Sequence, residues 1–67
     1  MGKLYDYCQQ IQGYVERNNL DVFRTRGALA MQTGFIITLI GPDDPDDPEK
    51  IQSLKAAAQD VLGLTLE

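Results

Sequence analysis

Gly34-Phe35-Ile36-Ile37-Thr38-Leu39-Ile40-Gly41-Pro42 decides the fold class of this chain. Its six central residues are rich in β-branched and aromatic side chains and lie between glycines, which is how a buried strand reads. A lone six-residue strand needs a pairing partner, and only Leu64-Thr65-Leu66 could supply one. Gly41-Pro42, in contrast, is a good C-terminal stop for a helix. The spacing therefore predicts continuous helix through Ile40 and an all-α domain. An α+β arrangement, with 35–40 and 64–66 as short strands, is the alternative.

Upstream of that stretch, Asp21 can cap a helix that begins at Val22. At about 100° per residue, Phe23, Gly27, Ala30 and Gly34 fall within a sector of roughly 60°, a flat stripe of mostly small residues. A helix over 21–40 has no polar face in its second half, and a helix apolar all round must be buried all round. Two short neighbours in 67 residues do not cover every side of it. The expected interface is therefore Phe23, Gly27, Ala30, Gly34, Ile36, Ile37 and Ile40. It would be covered by a second copy, giving a dimer or larger homo-oligomer, or by a partner helix.

Two flanking segments are amphipathic. Leu4, Tyr7, Cys8, Ile11, Tyr14 and Val15 recur at three- and four-residue steps, predicting a helix over about 3–18 that ends at Asn18-Asn19. Asp47-Pro48-Glu49 gives an N-cap, a proline at the first helical position and a carboxylate at the positive end of the dipole. Ile51, Leu54, Ala58, Val61 and Leu62 then line one face, and Gly63 stops a helix over 48–62. Between them, 41–47 is an acidic, proline-rich connector: Asp43, Asp44, Asp46, Asp47 and Glu49 place five carboxylates in seven residues. The net charge of -4 is made there, since the rest of the chain carries six basic against five acidic groups. That balance is neither a general acidic surface nor a basic nucleic-acid face.

With one cysteine and no histidine, the chain has no internal disulfide and none of the common zinc frameworks. A domain this short gains margin by other means, and self-association is the device left. Met1-Gly2-Lys3-Leu4-Tyr5-Asp6 has no signal-peptide pattern, so the expected setting is cytoplasmic with a reduced thiol. The longest apolar stretch, 27–41, falls short of the roughly 20 residues of a membrane span. Residues 1–67 read as a single helical domain, and Leu66-Glu67 has the look of a cloning-site scar.

Candidate chemistry is sparse. Leu29-Ala30-Met31-Gln32-Thr33-Gly34-Phe35, with Ile40 beyond, resembles a helix-turn-helix in its small alanine, turn glycine and later aliphatic. That resemblance implies a small nucleic-acid-binding regulator as an alternative function. The second helix would be degenerate, because Ile36, Ile37, Thr38, Leu39 and Ile40 offer one hydroxyl to phosphates and base edges. The acidic loop has carboxylates for a hard cation, but its prolines hold it extended and no EF-hand spacing is present, so no metal is expected. Cys8 sits on an apolar face without a histidine to activate it. No phosphate loop, triad or opposed carboxylate pair is present, so neither catalysis nor a cofactor is expected. The sequence predicts a three-helix interaction or oligomerisation module.

Overall fold

In a computed structural model that describes residues 2–67, the chain forms three α-helices and no strand among those residues: α1 (Lys3–Arg17), α2 (Val22–Thr33) and α3 (Pro48–Leu62). α1 buries Leu4, Tyr7, Cys8, Ile11 and Val15, and α3 buries Leu54, Ala57 and Ala58. Both sets follow the helical period, so each helix turns one stripe inward. α2 contributes Leu29 and Thr25, and these close the core together with Ile37 and Leu66. Each fully buried aliphatic side chain of this kind contributes about 1.5–3 kcal/mol. Leu66 is only 4% exposed, so the C-terminal segment is part of the packed interior.

The middle segment differs from its predicted extent. α2 stops at Thr33 instead of running to Ile40, because Gly34 takes the left-handed conformation at φ 81°. Its N–H closes the last turn on the Ala30 carbonyl at 2.8 Å. The Thr33 hydroxyl seals the same end, donating to the Leu29 carbonyl at 2.7 Å and accepting from the Phe35 N–H at 3.3 Å. Ile36 and Ile40 are then extended on either side of a single 3-10 turn, Ile37–Leu39. β-branched residues prefer the extended region, and here they take it without forming a strand. Residues 64–66 lie outside any regular element, so the paired-strand alternative is not formed either.

Capping fixes how α1 and α3 stand together. Asp47 accepts from the Glu49 N–H at 3.0 Å and Pro48 occupies the first turn, as the sequence predicts. α1 has Gly2 at its N-cap and no side-chain cap of its own. Its cap comes from the connector: Asp46 Oδ1 accepts from the Leu4 N–H at 3.1 Å, across 42 positions of chain. At the other end, the Tyr14 hydroxyl donates to the Leu62 carbonyl at 3.4 Å. The first turns of α1 and α3 therefore meet, and so do their last turns, so the two helices run in the same sense.

Candidate functional site

The most distinctive surface is the side of α2 turned away from the core. With Thr25 and Leu29 pointing inward, Gly27 lies roughly 160° away from both, at the crest of the outward side. Phe23 and Met31 stand one turn before and after it, 85% and 90% exposed. A Cβ added at Gly27 would meet nothing within 4 Å, so no contact inside the chain calls for glycine there. Leu20 is exposed just before the helix, and Leu39 (76%) and Ile36 (47%) add exposed apolar surface beyond its end. Single exposed apolar side chains are ordinary. Two of the largest kind on one ridge, either side of a helix-interior glycine that lowers propensity by about 1 kcal/mol, make a surface that calls for a partner.

The seven residues expected at an interface do not form one surface. Phe23 and Gly27 are exposed, and Ala30 is half-buried beside them. Gly34 is exposed, but its role in the structure is the left-handed helix end, and a Cβ there would again meet nothing within 4 Å. Ile36 is exposed, Ile40 packs partly against the core, and Ile37 is only 3% exposed. The inward placement of Ile37 follows from the 3-10 turn, which directs one of its three residues into the gap between α1 and α2. Met31 and Leu39, which with Phe23 are the most exposed large apolar residues, were not among those expected. For Met31 the signal was available in its spacing, eight residues from Phe23 through Gly27.

The acidic connector is occupied with local structure. Asp44 Oδ2 accepts from the Gly41 N–H at 2.6 Å, Asp46 caps α1 and Asp47 caps α3. The N–H groups of Leu4 and Lys3, with the Lys3 charge, hold the Asp46 carboxyl below its ordinary value of 3.8. Gly2 belongs to the same arrangement, because a Cβ on it would come within 2.6 Å of Asp46 Oδ1. Asp43 and Glu49 remain exposed. Among the described residues no three His, Cys, Asp or Glu side chains are grouped as a metal site.

Two further places were candidates for chemistry. Cys8 is fully buried, and desolvation pushes its thiol up to about 11, far from the thiolate a nucleophile needs. A cavity of about 80 Å³ between α1, α2 and the 3-10 turn has Val15, Val22 and Ile37 on its apolar side, with Gln12, Glu16 and Arg26 on its polar side. Glu16 and Arg26 oppose each other in sign, so the cavity has no net charge with which to select an ion. Where a helix-turn-helix would place its second helix after Gly34, the chain has the 3-10 turn Ile37–Leu39. Among the described residues no helix is long and apolar enough to cross a membrane.

Fold and surface together define a small all-α, three-helix domain with one helix face left uncovered. No family model, curated protein or solved structure matches the chain.

Proposed function

We propose that this chain is a small interaction module that works through the outward face of α2 and has no catalytic activity of its own. The observation that carries this reading is the exposure of Phe23 and Met31 on a single ridge around Gly27. Several polar groups that chemistry might have used have structural roles instead: three carboxylates of the connector hold backbone N–H groups, and the one thiol is buried and protonated. A cytoplasmic setting fits a single thiol kept without a disulfide partner. Sedimentation equilibrium of the wild type and of a Phe23→Ser/Met31→Ser variant tests the reading. The wild type is expected to gain mass with concentration, and the variant to remain monomeric with the same circular dichroism. Equal masses for the two at every concentration overturn it.

A further inference from the structure

We infer that the α2 face is covered by a second copy of this chain, which presents the turn at 36–39 and the acidic connector behind it, so that copies join head to tail. This rests on the reading of α2 as the interaction face and adds the identity of its occupant.

Charge selects the occupant. α2 carries Arg24 and Arg26, both exposed, and no acidic residue. Arg26 lies toward the cavity, opposite Glu16, whereas Arg24 lies about 60° from Gly27. Pairing two α2 faces would bring the Arg24 guanidinium of each copy into one seam, and like charges across an interface oppose association. The chain's other exposed apolar surface has the opposite character. Leu39 and Ile36 are followed within a few residues by the exposed Asp43 and Asp44, with Glu49 at the start of α3. Asp44, Asp46 and Asp47 each give one oxygen to a backbone N–H, so Asp43 in the connector and Glu49 at the start of α3 are the carboxylates there with both oxygens left to face a partner. One surface is apolar with basic groups and the other is apolar with acidic groups, and the same chain carries both.

The size of the face sets the strength. A 12-residue helix is about 18 Å long, and one face of it offers less than the roughly 800 Å² per partner of a standard stable interface. Association is therefore weak, appears at high concentration and falls with salt. Contact between two different surfaces does not close at two copies as a two-fold dimer does, so mass grows with concentration past the dimer, into a ring where the rotation between copies closes and into an open chain where it does not.

Sedimentation velocity over a concentration series, at low and high salt, tests this with the wild type, Phe23→Asp, Leu39→Asp and an equal mixture of the two variants. Both substituted side chains are exposed, so the core is untouched, and circular dichroism checks the fold. The expected result is growth beyond the dimer for the wild type, suppressed by salt, and a monomer for each variant alone. The mixture should form a one-to-one pair that grows no further, because each variant retains the surface the other has lost. A second pair, Arg24→Glu and Asp43→Lys, should each weaken self-association at least about tenfold and recover when mixed. If Leu39→Asp associates like the wild type while Phe23→Asp does not, α2 pairs with itself: the module reading stands and the head-to-tail inference falls. A mixture without pairs also overturns the inference. A wild type that stays monomeric at every concentration overturns both.

Discussion

α1 and α2 are consecutive helices in one small domain, yet they meet the core in opposite ways. α1 buries five residues along a continuous stripe, whereas α2 buries two and leaves Phe23 and Met31 in solvent. In α1 the large apolar residues are the inward ones, so size and periodicity agree. In α2 they disagree: the inward face is Thr25 and Leu29, and the sector that collects Phe23 with three small residues faces out. A stripe of small residues is thus compatible with close packing and with no packing at all. What separates the two cases is where the remaining large side chains on the helix point.

The strongest test of that contrast is Leu29, the one large apolar residue by which α2 enters the core. Leu29→Ala should cost about 2–5 kcal/mol in denaturant unfolding, against a change within about 0.5 kcal/mol for Met31→Ala on the opposite side. Comparable losses at the two positions would mean that the outward face is packed. The glycines come next. Gly34→Ala should destabilise by about 1–2 kcal/mol, the cost of a left-handed residue with a Cβ, whereas Gly27→Ala should stabilise the monomer by about 0.5–1 kcal/mol through helix propensity. Loss of stability at Gly27 would show that the crest is already in contact.

Capping sharpens the comparison at a smaller scale. Asp47→Ala removes a local N-cap and should cost about 0.5–2 kcal/mol, while Asp43→Asn should be nearly silent. Asp46 should show itself through pH. Its folded carboxyl is held below 3.8, so its contribution is fully present above that value and is lost as pH falls through the lowered one. Amide exchange at the start of α1 should therefore accelerate in acid, and Asp46→Asn should remove that acid dependence. Cys8 gives the complementary case in base. Its folded pKa is raised from 9.0 to about 11, so stability present below 9.0 declines across that interval in urea titrations and does not decline in Cys8→Ala.

How much of this was legible depended on whether one signal or two governed a segment. α3 lies over 48–62 as read, because Asp47, Pro48, the apolar stripe and Gly63 all agree. α1 ends within a residue of its expected limit for the same reason. At 34–40 the apolar run has no period to report, and a buried helix, a strand and an irregular segment share that composition. The correct ending of α2 was written in Gly34, but a glycine inside a small-residue stripe reads equally well as packing. The shorter α2 also redistributes the apolar residues: Phe23 and Ile36 are exposed as the interface reading needs, Ile37 lies in the core, and Met31 and Leu39 are exposed in addition. The Asp46 cap was not legible from local sequence at all, since its two partners are 42 positions apart. The uncapped Gly2 was its only trace.

That distant cap also orders events in time. α1 is made first, but the carboxylate that completes its first turn leaves the ribosome only after α2 and most of the connector. A nascent chain halted before Asp46 should hold α1 with a frayed leading end. One halted after Leu62 has the cap in hand and both helix starts fastened together, so this domain is expected to lock late and as a unit.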